Sequence, residues 1–172
     1  EAEGGIFSKE KLHQVELATS SFGQGQTVTM IQLASAFSAV INGGNYYQPH
    51  VVKEINSESG AVVSSNDNTL VKRVVSEDAS KLIRKYLEKT VEDDEGTASP
   101  ARVKGYVIGG KTGTAEKWPR NEGKYLVSFA GFTPTDKPEL MIYVVIDEPH
   151  VSDQAHSTYA TEFASEVLKD VL

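Results

Sequence analysis

Six consecutive residues, Gly109-Gly110-Lys111-Thr112-Gly113-Thr114, bring together a cation, two hydroxyls and three glycines. Such a set can act on an anion in two incompatible ways. Read from Gly105 to Thr112, the stretch fits a phosphate loop, in which backbone N–H groups cradle phosphates, Lys111 reaches them and the Thr112 hydroxyl holds magnesium. Downstream, an apolar run ending in Asp147-Glu148 imitates the acidic strand end that completes such a magnesium site. A phosphate loop must open a helix whose N-terminus faces the anion. Here Thr112 is followed by Gly113-Thr114-Ala115-Glu116-Lys117-Trp118-Pro119, where no helix starts. Tyr106-Val107-Ile108 is strand-forming where the loop should be, and residues 115–139 hold no crossover helix for a parallel sheet. The nucleotide-hydrolase reading thus ranks behind one that puts Lys-Thr-Gly-Thr on a strand, with Lys111 and Gly113 on one face and Thr112 and Thr114 on the other. In its plainest form that strand is only bulged at its glycines, and Lys111 is an exposed charge.

The elements around this strand can be read from period and punctuation. Residues 27–42 place Met30, Leu33, Ala34, Phe37, Val40 and Ile41 on one helical face. Thr29 and Gln32 make a capping box, and Asn42-Gly43-Gly44 supplies left-handed residues at the exit. Ser76, followed by Glu77 and Asp78, predicts a second helix with Ala79, Leu82, Ile83, Tyr86 and Leu87 on its apolar face, ending near Val91. A third helix is expected over 158–171, its apolar side formed by Tyr159, Phe163, Val167 and Val171. Residues 51–55 and 61–63 flank Ser57-Glu58-Ser59-Gly60 as a short hairpin. Residues 92–96 read as an acidic, solvated loop. Strands are expected over 106–116, 125–132 and 140–146, joined by turn residues too few for a crossover helix, so they should be antiparallel neighbours. The fold class is α+β, an antiparallel sheet of three consecutive C-terminal strands with helices packed on it.

At 172 residues with 39% hydrophobic and 24% charged residues, the composition is that of one folded domain rather than a disordered chain. The net charge of −7 opposes nucleic-acid binding, which needs clustered Lys and Arg against phosphate. Zero Cys removes disulfides, thiolate nucleophiles and Cys-ligated zinc. His13, His50, His150 and His156 show no helical pair spacing, so no metal site is expected. Asp147-Glu148 reads as a polar strand end, Phe22, Phe37 and Phe129 as core residues, and Trp118 as a partly buried turn aromatic. The apolar run 140–146 is too short to cross a bilayer, and the N-terminus lacks the basic and apolar regions of an export signal.

On the strand reading, Gly109-Gly110-Lys111-Thr112-Gly113-Thr114-Ala115-Glu116 resembles the third motif of class B penicillin-binding proteins, the D,D-transpeptidases that cross-link peptidoglycan. The resemblance is collinear over most of the chain. Ser21-Phe22-Gly23-Gln24-Gly25-Gln26 and the Val28-Thr29 and Gln32-Leu33-Ala34 segments match, as do Asn42-Gly43-Gly44 with Pro49, Gly96-Thr97-Ala98, and Phe129 to Pro134 with the Val-rich strand after it. It implies a penicillin-binding-protein and serine β-lactamase-like fold in which Lys111, Thr112, Gly113 and Thr114 bind substrate. Lys111 would bring the charge for a D-Ala-D-Ala or β-lactam carboxylate, and Thr112 and Thr114 the hydroxyl donors. Gly113 would let the substrate backbone lie on the strand edge. The Thr114 N–H would be one oxyanion donor, a type of group whose loss costs about 3–4 kcal/mol of transition-state stabilisation. No metal or organic cofactor is implied.

The family's nucleophile is a Ser-x-x-Lys at the start of a buried helix, accompanied by a Ser-x-Asn. Formal matches occur at Ser8-Lys9-Glu10-Lys11 and Ser64-Ser65-Asn66, but the first adjoins charge and the second a hairpin turn. Both are read as decoys. Glu1-Ala2-Glu3-Gly4-Gly5 resembles a segment that follows both true motifs, and the family's first two sheet strands would also be missing. Ala160-Thr161 departs from the family where Pro is expected after Ala. Residues 1–172 are therefore expected to be the C-terminal portion of a transpeptidase domain, inactive alone. The parent would bind stem peptides, β-lactams and cell-wall synthesis proteins on the extracytoplasmic face of the membrane, through an N-terminal anchor outside this chain. The rival from a non-enzyme class is a penicillin-sensing or peptidoglycan-binding module.

Overall fold

In the computed structural model, which describes residues 13–66 and 68–172, the chain runs α1 (Gln14–Ser20), α2 (Met30–Ile41), β1 (Asn45–Tyr47), β2 (Glu54–Asn56), β3 (Val62–Ser65), β4 (Leu70–Arg73) and α3 (Glu77–Glu92). A 3-10 turn (Ser99–Ala101) then leads to β5 (Gly109–Glu116), β6 (Tyr125–Thr133), β7 (Leu140–Asp147) and α4 (Tyr159–Val171). The capping box forms as expected: the Thr29 hydroxyl accepts the Gln32 N–H at 3.3 Å, and Gln32 Oε1 accepts the Thr29 N–H at 2.9 Å. At the far end of α2 the chain turns through Gly43 and Gly44, both at positive φ. A Cβ on Gly44 would overlap the Val75 carbonyl, so glycine is required there for space as well as conformation. Ser76 caps α3 by accepting the Ala79 N–H at 3.2 Å. In the first turn Glu77 pairs with Lys81 at 3.0 Å, and that hydrogen bond holds the Glu77 carboxyl below its ordinary pKa.

The three C-terminal strands form one antiparallel sheet in the order β5-β6-β7. Residues opposite one another across the ladders share a face. Thr112, Phe129 and Val144 therefore lie on one side, and Lys111, Ala130 and Tyr143 on the other. The first side carries the core, where Val127, Phe129 and Val144 meet Ala160, Ala164 and Leu168 of α4 and Val91 of α3. Phe132, three residues beyond Phe129, faces the opposite way and meets Phe37 of α2 edge-on at 6.1 Å.

Several expectations need correction. The ladder of β5 begins at Gly109 rather than Tyr106, because the chain bends back at residues 103–106, with Gly105 at φ +93 and the Tyr106 N–H on the Val103 carbonyl. On α4 the buried stripe is Ala160, Thr161, Ala164, Ser165 and Leu168, while Tyr159, Phe163 and Val171 are exposed. Small residues let the helix lie close on the sheet, which bulky ones at the same positions would prevent. Phe22 is 69% exposed and not in the core; Met30 and Leu33 of α2 and Leu82 and Tyr86 of α3 are also exposed. Trp118 is 81% exposed, with the Arg120 guanidinium 5.3 Å from its ring centroid. Helix α1 and the pairing of β1 with β4 were not anticipated. The hairpin expected around Ser57 to Gly60 is present as β2 and β3.

The acidic segment is more than solvated charge. Glu92 accepts the Ile108 N–H at 2.9 Å, and Arg102 donates from Nε to the Val91 carbonyl at 2.7 Å and from Nη2 to the Glu92 carbonyl at 2.8 Å. These are carbonyls at the end of α3 that the helix leaves without intrahelical partners. The Arg102 carbonyl in turn accepts the Ser165 hydroxyl of α4 at 2.9 Å. Arg102→Met keeps the aliphatic stem and removes the donors, and is expected to cost about 2 kcal/mol, read as a fall in melting temperature of roughly 5 °C. An unchanged melting temperature would remove Arg102 from this role.

Candidate active site

Strand β5 pairs with β6 along one side, and no described strand pairs with its other edge. Side-chain partners show which groups face that open edge. The Gly110 carbonyl accepts the Thr90 hydroxyl from α3. The Thr112 carbonyl accepts Lys111 Nζ at 2.8 Å, and the Thr114 carbonyl accepts Gln24 Nε2 at 3.2 Å. In an antiparallel ladder the N–H and C=O of one residue point to the same side. The N–H groups of Thr112 and Thr114 therefore also face the open edge. The edge thus offers alternating donors and acceptors beside an exposed ammonium, which suits an extended peptide bearing a carboxylate.

Two glycines keep the strand flat against its neighbours. A Cβ on Gly110 would come within 2.4 Å of two Phe129 ring carbons, and one on Gly113 would meet Ser128 Oγ at 2.5 Å. The space above Gly113 is therefore taken by Ser128, a packing requirement separate from any approach of substrate. Next to the strand lies a cavity of about 310 Å3 whose walls include Thr112, Thr114, Ser128, His156 and Ala160. Thr114 Oγ1 reaches the Ala155 carbonyl at 3.4 Å, tying the strand to the segment before α4. In that segment His156 Nδ1 lies 2.9 and 3.0 Å from the two Asp153 oxygens, and this hydrogen bond holds the Asp153 carboxyl below its ordinary pKa.

At the far end of β5, Lys117 Nζ sits 2.8 Å from Asp147 and 2.6 Å from Glu148, joining the ends of β5 and β7 across β6. Asp147 and Glu148 are thus a polar strand end, as their sequence context suggested. The hydrogen bonds that Lys117 donates to Asp147 and then to Glu148 raise its pKa. A raised lysine pKa means that the clip contributes fully below the ordinary lysine value and is lost only as pH climbs through the raised one.

All four motif residues, Lys111, Thr112, Gly113 and Thr114, fall together on β5. The phosphate-loop alternative does not fit: residues 109–116 are strand throughout, and no helix opens after Thr112. Ser64 and Ser65 lie exposed on β3 opposite Ile55 and Glu54, and the Asn66 amide donates to the Val52 carbonyl at 2.6 Å. Ser8, Lys11 and the opening Glu1 to Gly5 segment lie outside the described residues. Among the described residues no cluster of His, Asp and Glu could hold a metal ion, and no helix is long and apolar enough to cross a membrane. Sequence reasoning missed the contacts of Gln24 and Thr90 with β5 and the Asp153–His156 pair. Gln24 stood in a matched segment, but nothing in its spacing tells that it meets a residue 90 positions later.

A family profile described as the penicillin binding protein transpeptidase domain matches residues 1–169. Stage V sporulation protein D of Bacillus subtilis is 43% identical over 178 residues, covering 100% of this chain and 27% of that protein. A probable peptidoglycan D,D-transpeptidase of Neisseria meningitidis is 30% identical over 161 residues, covering 92% of this chain and 25% of that protein. The chain thus spans about a quarter of the length of these relatives. Among solved structures, the apo transpeptidase domain of Burkholderia pseudomallei penicillin-binding protein 3 superposes with a TM-score of 0.82 at 29% identity, over 99% of this chain and 50% of that one. The ampicillin complex of penicillin-binding protein 3 from Mycobacterium tuberculosis gives 0.87 at 26% identity, over 99% and 40%.

Proposed function

The chain belongs to the penicillin-binding protein transpeptidase family, class B, and from that premise we propose that it is the C-terminal portion of a transpeptidase domain and supplies one wall of the active site. The parent reaction is acyl transfer at a D-Ala-D-Ala terminus. A serine Oγ attacks the penultimate D-Ala carbonyl, the terminal D-Ala leaves, and an acceptor amine on a second stem peptide then displaces the serine. The nucleophile comes from outside residues 1–172, so this chain alone is inactive. The reaction uses no metal or organic cofactor.

The observation that carries this reading is the open edge of β5, where outward-facing backbone groups run beside the exposed Lys111 ammonium. Lys111 attracts the ligand carboxylate, with the Thr112 and Thr114 hydroxyls as further donors. The Thr114 N–H, facing the open edge, stabilises the oxyanion that develops on the attacked carbonyl. A β-lactam presents a carboxylate in a similar place and acylates the same serine. The ampicillin and aztreonam complexes of the mycobacterial neighbour support that assignment. Family membership also supports work in cell-wall assembly on the extracytoplasmic face of the membrane, with the parent held by an anchor outside this chain and operating beside other cell-wall synthesis proteins.

Labelling with fluorescent penicillin tests the reading. The parent polypeptide is expected to be labelled covalently at a serine outside residues 1–172, and the isolated chain to remain unlabelled. Labelling of the isolated chain at Ser8 would overturn the assignment. A parent that binds stem peptide but is never acylated would be a non-catalytic binding module instead.

A further inference from the structure

The Gly110, Thr112 and Thr114 carbonyls on the open edge of β5 each hold a side-chain donor, but the three donors differ in origin. Thr90 fastens Gly110 to α3, and Lys111 folds back onto its neighbour Thr112. Gln24 reaches Thr114 from a separate loop, with Gly23 at φ +84 and Gly25 at φ +81 on either side. The loop backbone is tied down, since the Gln24 N–H donates to the Thr19 carbonyl at 3.0 Å. What can move is the exposed Gln24 side chain.

A peptide adding to a strand edge puts its own N–H groups on the carbonyls that face outward. The Gln24 carboxamide is chemically the same donor as a peptide N–H, and it already occupies the Thr114 carbonyl. We propose that Gln24 is a specificity-determining residue of the substrate edge, a placeholder for the amide N–H of an acyl donor whose chain extends along β5 past Thr114. This rests on the reading of β5 as the substrate-binding strand. A ligand that covers this part of the edge must break the Gln24 bond. One that carries an amide N–H at that point restores an equivalent bond to Thr114, whereas one that covers the edge without an N–H leaves the carbonyl unpaired. In the presence of Gln24 an N-acyl amide therefore only exchanges one bond for another, whereas an acyl donor too short to cover this part of the edge leaves the Gln24 bond in place, so Gln24 narrows the advantage of N-acyl donors over such short ones. A neutral, exposed hydrogen bond is weak enough for the exchange to be reversible.

The test uses the full transpeptidase containing this chain and compares second-order acylation rates for benzylpenicillin, which has an acylamino side chain, and penicillanic acid, which has none. Gln24→Ala deletes the placeholder, and Gln24→Asn shortens it by one methylene so that it no longer reaches. In both variants the ratio of the benzylpenicillin rate to the penicillanic acid rate is expected to rise roughly three- to tenfold over wild type. An unchanged or lower ratio would overturn the inference, and a purely structural role for Gln24 would move both rates together. Lys111→Ala separates the two levels of the argument. If it slows acylation while the Gln24 variants leave the ratio unchanged, only the placeholder is wrong; if it has no effect on acylation, the reading of β5 itself fails.

Discussion

Replacing Lys111 with alanine in the full transpeptidase is expected to slow acylation by penicillins by roughly 10- to 100-fold, the equivalent of about 1.5–3 kcal/mol for a charge-assisted hydrogen bond to the ligand carboxylate. Among the described residues, Lys111 differs from other cations near it in having no counter-ion. Lys117 is paired with Asp147 and Glu148, and Lys124 with Glu122 at 2.8 Å, whereas Lys111 Nζ donates to a neutral carbonyl, that of Thr112. Its charge is therefore uncommitted and lies beside the edge a ligand would use. Because Lys111 is exposed, the wild-type advantage should shrink as ionic strength rises, while the alanine variant should show little salt dependence. Acylation kinetics at two salt concentrations check both statements. A variant with wild-type rates at low salt would mean that the carboxylate is bound elsewhere.

Gly110→Ala is expected to lower stability by about 2–3 kcal/mol, read as a fall in melting temperature of roughly 5–10 °C. The added Cβ would overlap the Phe129 ring and lie 2.8 Å from the Ala130 carbonyl oxygen. Phe129 is fully buried among α4, α3 and the sheet, so neither the ring nor the backbone can yield without opening the core. The same displacement would pull Gly110 away from the Thr90 hydroxyl and tilt Lys111, so penicillin acylation should fall along with stability. Gly113→Ala is the informative comparison. Its Cβ meets only the Ser128 hydroxyl, which can rotate aside, so this change should cost less stability. If the two alanine variants melt at the same temperature, the Phe129 contact is not what demands glycine at position 110.

Local sequence was a good guide where the physics was local. Thr29 with Gln32 and Ser76 with Ala79 cap their helices because a cap needs only a side chain and a backbone N–H two or three residues away. Strands β5, β6 and β7 could be placed as antiparallel neighbours because the turns between them leave no room for anything else. The reading of α4 failed for the opposite reason. Tyr159, Phe163, Val167 and Val171 have the better apolar period, but which side of a helix is buried depends on the surface it meets, and this sheet accepts Ala160, Ala164 and Leu168. Phe22 failed likewise, since hydrophobicity alone does not say what lies opposite a residue.

The candidate site divides along the same line. Residue types and spacing by themselves determined that Lys111, Thr112, Gly113 and Thr114 share one strand, because alternation and the lack of a following helix are properties of a dozen adjacent residues. They also determined the family, because its motifs recur in order along the chain. The tertiary structure alone decided which edge of that strand is open, that Thr90 and Gln24 hold two of its outward carbonyls, that Ser128 fills the space above Gly113, and that His156 lines a cavity with Thr112 and Thr114. Each of these joins residues far apart in the chain, and such pairings are selected by the packing of the whole domain, which no local pattern of residues encodes.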